Sequence, residues 1–97
     1  MIDEFEKEDL IENIENIRVE YFNLPQIGRR EFLFDLEQEL NFEIGEELTE
    51  KIIKSIFNIP EAFKIEECIE ELNSLLIDIN ILFDIFPILE TLITYYK

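Results

Sequence analysis

Along residues 2–22 the apolar side chains Leu10, Ile14, Ile17 and Tyr21 recur at spacings of four, three and four, which is the inward stripe of an amphipathic helix. The opposite face is acidic. Asp9 is an N-cap candidate for the regular part and Asp3 for an earlier start. Leu24-Pro25 ends the element, because a residue before proline avoids helical dihedrals, so the pattern predicts a first helix over 4–22. A second helix is predicted over 28–40, with Phe32, Leu33, Leu36 and Leu40 on one side and Glu31, Asp35, Glu37 and Glu39 largely on the other. Phe34 falls off that stripe: either it packs on a neighbouring helix or it stands on the surface as an aromatic contact. Asn41 and Gly45 bracket a connection over 41–47, and a third helix over 46–57 turns Leu48, Ile52, Ile53, Ile56 and Phe57 inward. Asn58-Ile59-Pro60 then breaks the chain.

Pro60 suits the first position of the next helix, where its missing amide hydrogen costs nothing. Beyond it Ile65, Ile69, Leu72, Leu76, Ile79, Phe83 and Phe86 follow an alternation of four and three, predicting a central apolar helix near residues 65–86. A second stripe of Ile77, Ile81, Ile85 and Ile88 makes the stretch from 75 to 86 apolar on most of its circumference, as expected of a helix surrounded by others. Ile77-Asp78-Ile79-Asn80-Ile81 also reads as the alternation of a half-buried strand, but the helical register continues on both sides and no turn signal isolates it. Pro87 should kink or restart the helix, leaving Ile88, Leu89, Leu92, Ile93 and Tyr96 to close the structure. The fold class expected is all-α, a compact bundle of four to five helices forming a single acidic domain over 1–97.

Composition supports that reading and adds the main functional clue. Two Gly and three Pro are too few for the turns of a β-sandwich, and 47% hydrophobic residues with nine Phe place the chain outside the disordered class. The formal net charge is −16, from 24 Asp and Glu against 8 Lys and Arg. Self-repulsion of this size opposes folding, so it points to solubility or a cationic partner rather than to architecture. The charge is polarised: residues 1–50 hold 16 acids and 4 bases, residues 51–97 hold 8 and 4. Glu8, Asp9, Glu12, Glu15 and Glu20 on the first helix, Asp35 on the second, and Glu43, Glu46, Glu47 and Glu50 around the connection are the candidate partner-binding acids, with Phe34 and Phe42 as apolar anchors. Like charges three and four apart cost a helix a few tenths of a kcal/mol per pair, a preference nothing in the helix itself rewards. The plain alternative is a solvated face, though such a face ordinarily mixes Lys with Glu. Glu66, Glu67, Glu70 and Glu71 form a second acidic group, which suits the opening turns of a helix.

Little catalytic chemistry is available. Without histidine there are no Ser-His or Cys-His dyads, no imidazole zinc sites and no Glu-x-x-His di-iron motif. Neither Gly28 nor Gly45 sits in an EF-hand loop, no glycine-rich phosphate loop occurs, and phosphates would be repelled by the charge. No catalytic residue, metal or cofactor is therefore expected, nor direct nucleic-acid binding. Cys68 lies between Ile65 and Ile69 on an inner face and reads as a small buried hydrophobe. A lone cysteine and an acidic N-terminus without a basic leader suggest cytoplasmic residence. The apolar stretch 75–89, interrupted by Asp78, Asn80, Asp84 and Pro87, is shorter than the roughly 20 residues a bilayer requires.

The segment Glu31-Phe32-Leu33-Phe34-Asp35-Leu36-Glu37-Gln38-Glu39-Leu40-Asn41-Phe42-Glu43-Ile44 resembles the second helix and following loop of acyl carrier proteins, which are also small, acidic and helical. The likeness covers under a fifth of the chain. Those proteins carry phosphopantetheine on the serine of an Asp-Ser-Leu triplet just before that helix; here Gly28-Arg29-Arg30 stands there and no serine precedes Ser55, so the carrier function is not implied. The expected function is instead a non-enzymatic inhibitor that neutralises a basic protein, such as an immunity protein or antitoxin acting on a bacterial nuclease toxin. A second expectation is a nucleic-acid mimic of the anti-CRISPR or anti-restriction kind. A third is a self-associating helical subunit, a homodimer using Tyr95, Tyr96 and the second isoleucine stripe.

Overall fold

The computed structural model describes residues 4–60, 62, 64–75 and 77–97, residues 4–7 by their backbone alone. Five helices follow one another: α1 (Glu4–Asn23), α2 (Gln26–Ile44), α3 (Glu46–Ile56), α4 (Ile65–Ser74) and α5 (Ile79–Tyr96). Among the described residues there is no strand, so the expected all-α class with four to five helices is what the chain adopts.

Local chemistry explains most of the boundaries. α1 stops at Asn23, before Leu24-Pro25 as expected, and its stripe Leu10, Ile14, Ile17 and Tyr21 is buried throughout. Asp9 lies inside α1 rather than at a cap, and Asp3 lies outside the described residues. α2 begins at Gln26 and runs four residues past Leu40, so the connection expected over 41–47 shrinks to Gly45 alone. The reason is conformational: nothing from Asn41 to Ile44 forbids the helix, whereas Gly45 adopts φ 88°, a region L side chains avoid. α3 starts at once, with Glu46 and Glu47 in its first turn and Lys54 in its last, each favourable to the helix dipole.

Two expectations are corrected after α3. Pro60 does not open α4, which begins five residues later at Ile65. The apolar series expected as one helix near 65–86 is divided between α4 and α5. The break has a polar cause. The Ser74 hydroxyl donates to the Glu71 carbonyl at 2.9 Å, and the Asp78 side chain accepts from the Asn80 amide at 2.8 Å, capping a new helix. The alternation Ile77–Ile81 is thus a helix start and not a strand; Leu76 lies outside the described residues. Pro87 does not divide α5, where it stands exposed on the outer side.

The extensive packings are α1 with α5, α5 with α2, α2 with α3, α3 with α4 and α4 with α1, so the five helices close a ring around one core. The radius of gyration is 12.6 Å, close to the roughly 12.5 Å of a compact chain this long. α5 is a wall of the core rather than a helix enclosed on all sides: Leu82, Ile85, Phe86, Leu89 and Ile93 are buried, while Asp84, Glu90, Thr91 and Tyr95 face out. By length and composition alone its 18 residues would suffice to reach across a membrane; five of them are buried in the core. Four aromatic rings join the walls, with Tyr21, Phe32 and Phe57 at centroid separations of 4.9–5.9 Å and Tyr96 at 6.2 Å from Phe32.

One charged side chain is built into this interior. Arg18 is 6% exposed, stacks over the Phe22 ring at 5.1 Å, and donates through Nη1 to the carbonyls of Ile56 (2.6 Å) and Ile59 (2.9 Å) and through Nη2 to that of Pro60 (2.8 Å). The guanidinium thus satisfies the carbonyls where α3 ends, a favourable place for a cation.

Candidate interaction surface

The buried stripe of α1 forces its acids outward. Glu8, Asp9, Glu12 and Glu15 are exposed, and the row at spacings of four and three is extended by Val19, itself 60% exposed. Glu15 borders a cleft of about 370 Å³ between α1 and α4, walled by Phe22, Val19 and Ile65 and faced by Lys64 and Glu66. The second acidic group therefore contributes Glu66 beside the first. Glu20 is partly covered and ion-paired to Lys97 at 2.5 Å.

On α2 the outward half carries Phe34, 63% exposed, and Phe42, 88% exposed. Phe42 and Glu43 belong to the last turn of this helix and not to a loop. Asp35 is half-buried and accepts a hydrogen bond from the Tyr96 hydroxyl, so it ties α2 to α5. Glu46, Glu47 and Glu50 are exposed on α3; Glu47 pairs with Lys51 at 3.5 Å, and Glu46 and Glu50 face Glu37 and Asn41 across a cleft between α2 and α3. The tight corner at Gly45 brings these acids together.

α5 packs on both α1 and α2, which meet more sparingly, at Tyr21 and Phe32. The acids are carried in sectors: the α1/α4 edge, the α2/α3 corner, and a lesser group at the α1/α5 edge where Glu20 and Glu90 flank Asn16 and Thr94. Among the described residues only two ion pairs form, and the most buried cation is committed to carbonyl groups, so most of the outward carboxylates have no ion-pair partner, although Lys64 and Lys54 border the α1/α4 and α2/α3 clefts.

The candidate partner-binding set leaves out Val19, Ile27, Glu37, Glu90 and Tyr95, although the sequence places Glu37 on the acidic side of the second helix and Tyr95 on a homodimer face. Val19 and Glu37 were legible, since each continues an outward row on its own helix; Glu90 and Tyr95 required knowing which side of α5 is covered. Two titrations are displaced. Burial raises the Tyr21 phenol, with Arg29 opposing, and burial raises the Cys68 thiol, with Arg18 opposing. Cys68 is fully buried, so the thiol is packing material. Among the described residues no group of three or more His, Cys, Asp or Glu side chains is arranged to hold a metal ion.

Residues 31–44, which resemble a carrier-protein helix and loop, lie wholly within α2. No protein family model, curated protein or solved structure matches the chain.

Proposed function

We propose that this chain is a non-enzymatic acidic inhibitor that binds and neutralises a basic protein, in the manner of the immunity proteins and antitoxins that restrain bacterial nuclease toxins. The observation that carries the reading is the excess of outward carboxylates on α1, α2 and α3, of which only Glu20 and Glu47 form an ion pair among the described residues. Nuclease clefts are cationic because their substrates are polyanions. A rigid anionic ring of helices is steered toward such a cleft over long range and occupies the place of the nucleic acid, while apolar side chains such as Phe34 and Phe42 slow its departure. The regular row Glu8, Glu12, Glu15 also supports a second reading, mimicry of a phosphate row in the channel of a DNA-binding enzyme.

The test is stopped-flow association with a panel of purified cationic nuclease domains and neutral control domains, with nuclease activity read in parallel. The expected result is a complex with at least one cationic domain, loss of its activity, and an association rate falling about tenfold or more between 50 and 500 mM NaCl. Duplex DNA competing for the same site on the target would favour mimicry. Absence of any complex, or a rate indifferent to salt, overturns the proposal.

A further inference from the structure

Among the described residues the large exposed hydrophobics are Val19, Ile27, Phe34, Phe42 and Tyr95. Single exposed apolar residues are ordinary, but three of these share the outward half of α2. Ile27 (69% exposed) and Phe34 (63%) are seven residues apart, two turns on one line, and Phe42 (88%) prolongs the strip to the end of the helix. At 1.5 Å per residue the strip is roughly 22 Å long. Beside it runs a groove of about 440 Å³ between α2 and α5, bordered by Ile27, Phe34, Tyr96, Glu31 and Asp35, with Tyr95 (81% exposed) stacked edge-on against Tyr96 at 5.2 Å.

The charge around this strip selects what can cover it. From Ile27 to Ile44, α2 carries five acids against Arg29 and Arg30, and Arg30 faces the groove beside Glu31 and Asp35. The C-terminal end of the helix adds the negative pole of its dipole. A second copy of the chain would bring together two molecules of net charge −16. Nucleic acid is repelled for the same reason, and has no apolar ridge to offer. What satisfies both features is an amphipathic helix with an apolar ridge flanked by Lys or Arg, laid into the groove as one helix against two.

We infer that the α2/α5 groove docks a cationic amphipathic helix of the partner protein, its apolar ridge on Ile27 and Phe34 and its basic residues lying toward Glu31 and Asp35, away from Arg30. This inference rests on the acidic-inhibitor reading and assigns it a docking element. The acids of α1 set the rate of encounter, while Ile27, Phe34 and Tyr95 set the lifetime.

The experiment titrates the isotopically labelled full chain by NMR at 50 mM NaCl with three probes. These are a Lys/Leu peptide with Leu at helical spacings of three and four, the same composition scrambled, and oligolysine. The expected result is binding of the patterned peptide about tenfold tighter than the scrambled one, with shifts centred on Ile27, Phe34 and Tyr95. Phe34→Ser should remove most of that advantage and leave oligolysine binding unchanged; because Phe34 is exposed, thermal melting should confirm that the variant folds. Equal binding of patterned and scrambled peptides, shifts centred on the α1/α4 cleft, or no effect of Phe34→Ser overturns the docking assignment while oligolysine binding leaves the general reading standing. Failure of all three probes removes both. A stable dimer by light scattering, lost in Phe34→Ser, would assign the strip to a second copy and also overturn it.

Discussion

Arg18→Met removes the one guanidinium that reaches from α1 to the end of α3 while keeping most of the apolar stem. Three hydrogen bonds go with it, to the carbonyls of Ile56, Ile59 and Pro60. They are not equal. The bond to Ile56 is buried and a carbonyl stripped of it has no water to turn to, whereas those to Ile59 and Pro60 are only part-buried. Assigning about 2–3 kcal/mol to the first and about 0.5–1 to each of the others gives a loss of roughly 3–5 kcal/mol. The stacking on Phe22 at 5.1 Å adds a smaller amount. A domain this size holds about 5–15 kcal/mol in all, and 1 kcal/mol moves its Tm by roughly 4–8 °C, so the expected drop exceeds about 10 °C. Urea unfolding followed by circular dichroism at 222 nm measures it, with an unchanged m-value as the sign that the fold persists. Arg18→Lys should recover only part, because one ammonium cannot span three carbonyls. Repeating the melt in high salt separates this from net charge: a hydrogen-bonded clamp loses the same stability at any ionic strength. A Met variant within about 1 kcal/mol of the parent, or a deficit that salt erases, would refute the reasoning.

Four further outcomes rest on single residues. Gly45→Ala should cost about 1–3 kcal/mol in a thermal melt through backbone strain alone, since φ is +88° and a Cβ there meets nothing within 4 Å. Gly28→Ala, helical and with ordinary contacts at 3.5 and 3.7 Å, should be neutral or stabilising by up to about 1 kcal/mol. Asp78→Ala should cost about 0.5–2 kcal/mol by uncapping α5, measured by denaturant titration against Asp78→Asn, which keeps the acceptor. Burial raises Cys68 above its ordinary 9.0 and Tyr21 above its ordinary 10.0, so the unfolded chain releases these protons first. Stability is then full below pH 9 and falls as pH rises past 9 and 10, and Cys68→Ala should remove the earlier part of the slope.

The helices themselves were legible because each inward stripe is local. Leu10, Ile14, Ile17 and Tyr21 needed nothing but their spacing, and Leu24-Pro25 ended the helix by sterics that act between neighbours. The break between α4 and α5 was hidden by the same rule: Ile69, Leu72, Ile79 and Phe83 keep the apolar register across a change of direction, and hydrophobic spacing does not register direction. Ser74 and Asp78 were the available signal, being residues that hydrogen-bond backbone groups out of the helix. Arg18 also had a signal, standing four after Ile14 and three before Tyr21 on the buried side. Its partners are 38 to 42 residues away, however, and no local pattern contains them. The order of helices around the ring was beyond sequence for that reason too, and with it the grouping of the acids into sectors.

Salt should act on folding and on partner capture with opposite sign. Outward carboxylates on α1 recur at spacings of three and four, where each like pair costs a few tenths of a kcal/mol, and the molecule as a whole carries −16. Raising NaCl from about 0.1 M to 1 M shortens the screening length from about 10 Å to about 3 Å, which relieves repulsion between neighbouring acids and leaves the buried core and the Arg18 clamp untouched. Melting temperature should therefore rise with salt while the association rate with a cationic partner falls. A single exposed substitution links the two. Glu12→Gln removes one member of the row, so it should raise stability at low salt, reduce the further gain that salt brings, and slow association. If Glu12→Gln lowers low-salt stability instead, that carboxylate is held by an attraction within the fold, and the row on α1 is part of the architecture rather than a charge kept for something outside it.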